Sequence, residues 1–527
     1  MIALSQENTR RLLAVHGWSG TVFGLFLYVV VLTGAVAVLA HEIGIWSVGG
    51  EKLHAPMERP LDKTVRDLAA TVPEEHLEEV SIFHNSAADM VLFFHTHIIN
   101  PESGNIEDFG TLINVDPVSN DVLARREGFG RDVFGVDPGG ALDEFVVDLH
   151  VNLLAPSPWG LYATGILGLV MMIAALTGLL IHRHLIKDAF LAPRSGGALL
   201  GRKDRHVLAG TWGLLFAFIL AFTGSFFSFA GAIGIPLVAV TAFGGDQTSM
   251  METLVGAPKA DDPSPAPLAD LDAMLAESAS RAGSSADFVV VSHWGRADAV
   301  VQLFHAPPEG SLRGSKLVFN GSSGEFEGVK QQLGTQPSAG AATLELVGPL
   351  HFGNFAGFLS KVVWVCLGLA MCYVTITGLQ LWLERRQQEP FWRRMLPTVD
   401  IVALGTPVAL VSAAHGFFLS YGVADTHLWT LLGFCGGALV SIVLGIAVPA
   451  AQRLRALEAT LAGTLALLPA VRMSMGGSSW AEALGSGNAL VIGMDVLMLL
   501  SATTYAVFAL RRGSASRRRT EMVEATA

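Results

Sequence analysis

Cysteine and charged residues are both scarce in this chain. Three of its 527 residues are cysteine and 15% are charged, whereas 51% are hydrophobic and the mean hydropathy is +0.48. The three cysteines lie inside apolar runs, at spacings that fit neither a metal cluster nor a disulfide framework: Cys366, Cys372 and Cys435. The composition is therefore that of a membrane protein, with its cysteines as small buried apolar side chains.

Motifs for nucleotide binding and for hydrolysis are also missing. No glycine-rich phosphate loop follows a strand and opens a helix. Gly485-Ser486-Gly487 has no strand before it, so we interpret it as a turn. Neither a Ser/His/Asp arrangement nor zinc-protease spacing occurs, and so nothing points to a soluble hydrolase.

Long apolar runs take the place of such motifs. A helix needs about 20 apolar residues to cross about 30 Å of hydrocarbon. Eight runs satisfy or approach this length, which predicts about eight transmembrane helices: 16–40, 158–181, 207–232, 356–382, 401–422, 427–449, 456–471 and 488–510. Arg10 and Arg11 precede a run that is too long for a cleaved signal peptide, so we expect an uncleaved first helix.

The charges are unevenly distributed along the chain. Between Glu42 and Asp148 there are twenty-one acidic and seven basic residues, whereas Arg183–Arg205 has six Lys/Arg against two Asp. Short loops rich in Lys and Arg stay in the cytoplasm. We therefore expect cytoplasmic termini, with the long loops 41–149 and 233–350 on the outer side.

These two long loops have the same predicted order of elements, a helix followed by strands. The first has a helix at 61–70 and strands at 80–83, 90–99, 113–115 and 122–123; the second has a helix at 268–279 and strands at 288–291, 299–304 and 316–319. A repeat of this size decides the architecture. We predict a helical membrane bundle carrying two outer α+β modules, with the two units related by a pseudo-two-fold axis. The boundaries are 1–182 with module 42–149, 183–383 with module 240–350, and a C-terminal extension of four helices at 384–527.

Histidines recur at matching places of the two units. Gly34 and Gly224, each preceded by threonine, lie eighteen residues after His16 and His206 respectively. His150 and His351 likewise precede Thr177-Gly178 and Thr377-Gly378, by twenty-eight and twenty-seven residues to the glycine. Ionisable groups in a membrane are costly and usually functional. We expect each pair to open membrane helices and to hold one haem iron: His16 with His206 near the cytoplasmic face, His150 with His351 near the outer face.

Other histidines are open alternatives as ligands: His41, His182, His184 and His415. His95-Thr96-His97 resembles a metal-binding pair, but strand alternation places both histidines on one face. We expect that face to be solvated and the pair to bind no metal. A cleft between the two modules is a further expectation, with walls that include Trp294, His95, His97 and His305.

The ordered motifs resemble the PepSY-associated transmembrane-helix family over about residues 1–390. They are Arg11…His16-Gly17-Trp18…Thr33-Gly34, Leu149-His150, Arg205-His206…Thr223-Gly224 and Leu350-His351-Phe352-Gly353…Thr377-Gly378-Leu379…Trp382. The turns at 113–123 and 318–325 make the modules similar to PepSY domains. The extension after residue 384 departs from the four-helix core of that family.

This resemblance implies an inner-membrane iron-uptake protein akin to the ferrisiderophore reductases that carry two b-type haems. Such a protein is an oxidoreductase that reduces a periplasmic ferric siderophore or a similar chelate. Its electron donor is then a membrane quinol or a separate flavoprotein, since no nicotinamide or flavin motif is present. The alternative is a non-enzymatic PepSY-type sensor whose modules bind a peptide or protein. Neither reading involves nucleic acid.

Overall fold

A computed structural model gives the fold of the chain. It describes residues 5–526 apart from 49–59, 86–88, 102–105, 117–118, 135–137, 183–189, 191–193, 195–196, 247–249, 251–260, 308–311, 313 and 331–338. His184 lies outside the described residues. The chain forms two compact units: a membrane unit of residues 1–49, 141–231 and 361–527, and a sheet unit of residues 50–140 and 232–360.

The predicted transmembrane helices are confirmed as helices. Seven are long and apolar enough to cross a membrane, and a bent pair makes an eighth if counted as one span. The first three spans are α1 (Gln6–Ala37), α6 (Trp159–Ile181) and the pair α7 (Ala198–Trp212) and α8 (Leu214–Phe229), which bend by 61°. The others are α12 (Gly357–Glu384), α13 (Pro390–Ser420), α14 (Thr426–Ala447), α15 (Ala450–Ser474) and α17 (Ala489–Thr526).

The expectation that the histidines open these helices is wrong. Helix α1 begins ten residues before His16, because Ser5 caps its N-terminus by accepting a hydrogen bond from the Asn8 amide at 3.2 Å. His150 lies in the last turn of a separate helix, α5 (Ala141–Asn152), and His351 in the last turn of α11 (Ala339–Phe352). Both helices end at a residue with left-handed backbone conformation: Leu153 has φ 52° and Gly353 has φ 66°.

The C-terminal helices α13 to α17 form a bundle with its own buried ion pair. This bundle, which includes the short α16 (Trp480–Gly485), is joined to α2 (Ala40–Val48) through an apolar cluster that contains Trp46 and Phe418. Asp495 accepts hydrogen bonds from Trp46 Nε1 and Trp480 Nε1 at 2.8 Å each and from Arg472 Nη2 at 2.8 Å. The extension is thus an integral part of the membrane unit.

The sheet unit contains one eight-stranded antiparallel sheet in the order β4-β3-β2-β1-β5-β6-β7-β8. The first four strands are β1 (Glu79–Asn85), β2 (Asp89–Ile99), β3 (Ile106–Val115) and β4 (Val122–Phe129). The second four are β5 (Phe288–Ser292), β6 (Val300–His305), β7 (Ser315–Asn320) and β8 (Phe326–Lys330). The predicted strands are confirmed, although most extend beyond their predicted ends.

The expectation of a cleft between the two modules is wrong at the place where their strands meet. Strands β1 and β5 are hydrogen-bonded neighbours, with Val80 opposite Val291, so the modules join edge to edge. Pairing two apolar edges removes the unpaired backbone groups that each would otherwise expose. Trp294, expected in a wall of that cleft, instead packs against the apolar core of the sheet unit.

One core lies between the sheet and two helices, α3 (Asp62–Ala69) and α10 (Leu271–Ala282). The N-termini of these helices cap each other. Asp272 accepts from the Leu61 amide at 2.6 Å, and Asp62 accepts from the Leu271 amide at 3.0 Å. Each carboxylate satisfies an amide that has no partner within its own helix. The sheet unit also contains α4 (Gly130–Phe134), α9 (Ile235–Phe243) and α11.

Candidate functional site

His16 projects from α1 onto α6. Its Nδ1 lies 3.0 Å from the carbonyl oxygen of Ala174 and 3.3 Å from Oγ1 of Thr177. A carbonyl oxygen can only accept, so Nδ1 carries the proton and donates it. In a neutral imidazole this leaves the lone pair on Nε2.

His206 makes the same contacts between α7 and α12. Its Nδ1 lies 3.0 Å from the Val374 carbonyl oxygen and 3.2 Å from Thr377 Oγ1. His150 repeats them a third time between α5 and α1, at 3.0 Å from the Val30 carbonyl oxygen and 3.4 Å from Thr33 Oγ1. Burial lowers the pKa of His150 and outweighs this hydrogen bond, which raises it. The neutral form of His150 is therefore favoured.

The Thr-Gly pairs explain why three histidines share one geometry. Each threonine donates its hydroxyl proton to a carbonyl of its own helix, as Thr177 does to Ile173 at 2.7 Å, which leaves the hydroxyl oxygen to accept from histidine. The following glycine makes room for the ring. A Cβ would lie only 2.8 Å from His150 Cε1 at Gly34 and 3.1 Å from His206 Cε1 at Gly378.

We call each such Thr-Gly pair, with the carbonyl three residues before its threonine, a histidine seat. In the sequence these pairs served only to show that the four histidines lie at matching places, and their contacts with the histidine rings were missed. The repeated Thr-Gly spacing was the available signal. It could not assign partners, because each histidine contacts the seat of a different helix.

The predicted pair His16 and His206 is brought together. Their ring centroids are 6.4 Å apart and the rings are inclined at 71°. Imidazoles bound through one nitrogen each on opposite sides of a metal ion have centroids about 6 Å apart, since each metal–nitrogen bond is about 2 Å. Among the contacts of the described residues, Nε2 of neither histidine takes part in a hydrogen bond. The residues present therefore fit an axially coordinated haem iron.

His351 belongs to the sheet unit, whereas His150 belongs to the membrane unit. The His351 ring lies edge-on to that of Phe352, with centroids 5.4 Å apart. The fourth Thr-Gly pair, at Thr223, has the same internal geometry as the others: the hydroxyl donates to the Ile219 carbonyl at 2.7 Å, and the side chain is buried.

The other candidate ligands have different surroundings from His16 and His206. His41 is exposed on α2, and His182 is the residue that ends α6. His415 lies in the C-terminal bundle, where its Nε2 is 3.0 Å from the Thr464 carbonyl oxygen. His415 thus contacts a neighbouring helix of the bundle through Nε2, the same nitrogen that makes no hydrogen bond in His16 and His206 among the described contacts.

The expectation of a solvated His95-Thr96-His97 face is wrong for His95. Its side chain is 3% exposed, against 42% for His97. Burial lowers the pKa of His95, but hydrogen bonds to Glu79 and to the Phe93 carbonyl outweigh this effect, so the pKa is raised. In Glu79, burial raises the pKa, but hydrogen bonding to His95 outweighs it and the pKa is lowered. The sheet thus holds a buried histidine against a carboxylate.

These features define a helical membrane protein with apposed histidines, joined to an antiparallel sheet unit. Residues 13–385 match the model of the PepSY-associated TM region, and the chain belongs to that family. The uncharacterized protein PA4219 of Pseudomonas aeruginosa is 29% identical over 302 residues, which cover 55% of this chain and 74% of that protein. The C-terminal bundle lies beyond the family match.

Proposed function

We propose that this chain is a bacterial inner-membrane protein that binds two b-type haems and reduces a periplasmic ferric chelate. The observation that carries the proposal is the pair His16 and His206, whose rings lie 6.4 Å apart. Both rings are fixed through Nδ1, as metal-binding histidines usually are, so each Nε2 can point at iron. Haem held by two histidines has no open position and transfers single electrons.

The second haem is assigned to His150 and His351. His150 occupies a histidine seat like those of His16 and His206. His150 and His351 each end a helix that precedes a transmembrane span, and a buried threonine, Thr223, belongs to the remaining seat. These matching features support one ligand from each repeat.

The tandem repeat itself is part of the proposal. The sheet order reads outward from the β1–β5 pair in the same sequence on both sides. Leu61-Asp62 and Leu271-Asp272 exchange equivalent caps across the same core. Both features support a pseudo-two-fold relation between two PepSY-like modules, with that axis along the membrane normal.

The distribution of Lys and Arg supports cytoplasmic termini and a periplasmic sheet unit. Helix α1 is 32 residues long, about 48 Å at 1.5 Å per residue, which is enough to connect both faces of a bilayer. A quinol or a separate flavoprotein then gives up one electron per iron at the inner side. The Fe(III) of a siderophore or similar chelate accepts it outside and becomes Fe(II).

The first test is the absorbance spectrum of the full-length chain purified in detergent. Two haems per chain, both reducible and neither binding carbon monoxide, are expected. A chain without haem would overturn the proposal and favour the non-enzymatic sensor, whose modules would bind a peptide or protein.

The second test follows electrons through sealed vesicles of known orientation. A reductant confined inside should reduce a membrane-impermeant ferric chelate outside, and variants lacking one haem should lose this reaction. Reduction that continues at the full rate without either haem would rule out the proposed path.

A further inference from the structure

Three side chains with metal-binding atoms meet on the sheet unit. Glu79 of β1 lies directly opposite His95 of β2, and His97 follows two residues later on the same face. The carboxylate of Glu79 and one ring nitrogen from each histidine lie within 4.8 Å of one another. The three belong to neighbouring strands, so the sheet itself fixes their backbone positions.

When its ring is neutral, His95 presents a lone pair to a carboxylate. Its Nδ1 donates to the Phe93 carbonyl at 3.1 Å, so in the neutral ring Nε2 is an acceptor. That Nε2 lies 3.4 Å from Glu79 Oε1. Two facing acceptors repel unless a cation, either a proton or a metal ion, lies between them. Tetrahedral ligands at 2.0–2.1 Å from an ion are themselves about 3.4 Å apart, so a metal ion satisfies this distance.

The surroundings hold two of these ligands in place. The His95 ring stacks on Phe93 with centroids 4.5 Å apart and planes within 10°. Ser292 donates to the other carboxylate oxygen of Glu79 at 3.0 Å. Gly110, the partner of His95 on β3, allows the two strands to approach closely, since a Cβ there would lie 2.6 Å from His95 Cα and 2.8 Å from His95 Cβ. Such supporting contacts orient ligands before an ion arrives.

His97 is the exposed member of the three and connects the site to solvent. Its ring centroid is 5.5 Å from that of His95, and its side chain is 42% exposed, so it can turn toward an ion from solvent. Two more carboxylates flank it, with Asp108 Oδ1 3.3 Å from Nε2 and Glu78 Oε1 3.7 Å from Nδ1. Their negative charge favours a cation at this end of the site.

We propose that Glu79, His95 and His97 bind a divalent transition-metal ion on the sheet unit. Two imidazoles and one carboxylate form a ligand set that suits zinc and ferrous ions. This site is independent of the proposed haem ligands. If a ferric chelate is reduced outside the membrane, the ferrous ion released belongs to the same class of cation.

The test uses Zn²⁺, which has no redox chemistry, on the full-length chain after treatment with a chelator. Competition with a chromogenic chelator should give one bound Zn²⁺ per chain. His97→Ala and Glu79→Gln should each weaken its affinity at least tenfold. Glu127→Gln removes the same charge from an exposed position on β4 and should leave the affinity unchanged.

Two results would overturn this proposal. One is a wild-type chain that binds no Zn²⁺ at micromolar concentration, and the other is equal affinity in wild type, His97→Ala and Glu79→Gln. The haem spectrum is recorded on the same samples and should not change, so failure of the metal site and failure of the haem proposal are distinguishable.

Discussion

The membrane unit contains two polar clusters that use their hydrogen-bonding atoms very differently. In the C-terminal bundle both carboxylate oxygens of Asp495 are occupied, by Arg472 and two indole N–H groups. In the family region His16 and His206 each use one nitrogen on a histidine seat and leave the other without a hydrogen bond among the described contacts. The Asp495 carboxylate is therefore fully paired within the protein, although Arg472 Nη1 has no hydrogen-bond partner among the described contacts. In the second cluster, hydrogen bonds through Nδ1 orient both rings and leave each Nε2 able to bind a metal ion.

The largest effect is expected at the buried ion pair of Arg472 and Asp495. Arg472 and Asp495 have fully buried side chains, so Asp495→Asn leaves the Arg472 charge without its counter-ion. Breaking a buried ion pair from one side costs about 3–5 kcal/mol of unfolding free energy. Thermal unfolding in detergent should show this loss, while haem content per folded chain stays unchanged.

Asp425→Asn is the matched control in the same bundle. Asp425 caps α14 by accepting from the Leu428 amide at 3.0 Å, and asparagine caps equally well. Similar unfolding temperatures for Asp425→Asn and Asp495→Asn would contradict a structural role for the buried pair.

The reverse is expected for His16 and His206, where a substitution should lower the haem content and leave the fold intact. If the proposed haems are bound, His16→Ala or His206→Ala should remove about one of two haem equivalents, because each variant lacks a side chain that would hold the iron. The haem absorbance measured against protein concentration should fall by about half, whereas the fold persists because the seat keeps its own helical hydrogen bonds.

His415→Ala provides the comparison for these variants, since His415 is also half-buried but is bound to the Thr464 carbonyl through Nε2. It should retain full haem. Full haem in both His16→Ala and His206→Ala would show that this pair holds no iron, and loss of haem in His415→Ala would point to the bundle instead.

Local sequence patterns were sufficient for the membrane-spanning helices and for seven of the eight strands, whereas β8 was missed. Apolar run length and strand alternation depend on neighbouring residues, so they can be recognised without knowing the fold. The repeat then identified equivalent histidines, and the structure places the first pair side by side. The pair His150 and His351 stays a prediction.

Contacts between distant segments could not be predicted in this way. Val80 pairs with Val291 across the β1–β5 junction, yet alternation within each strand is compatible with many partners. The need for glycine at Gly213, where α7 and α8 meet, also depends on a distant segment, because Met371 of α12 occupies the space where a side chain at this position would lie. His95 lies between neighbouring strands, opposite Glu79 of β1 and Gly110 of β3, and this pairing cannot be recognised from its own strand.

The smallest effect is expected at the seat itself. Gly378→Ala places a methyl group about 3.1 Å from His206 Cε1, which forces the ring to shift by a few tenths of an ångström. His206 is still present in this variant, but its ring is reoriented. Disturbing such a supporting contact costs roughly 10-fold or more in metal affinity. Haem transfer to an excess of apomyoglobin should therefore be about tenfold faster from Gly378→Ala than from wild type. Gly20→Ala adds the same methyl group to α1, where no atom lies within 4 Å, and should leave the rate unchanged. Equal rates in all three proteins would mean that the glycine serves helix packing alone and that the seat does not control how His206 meets iron.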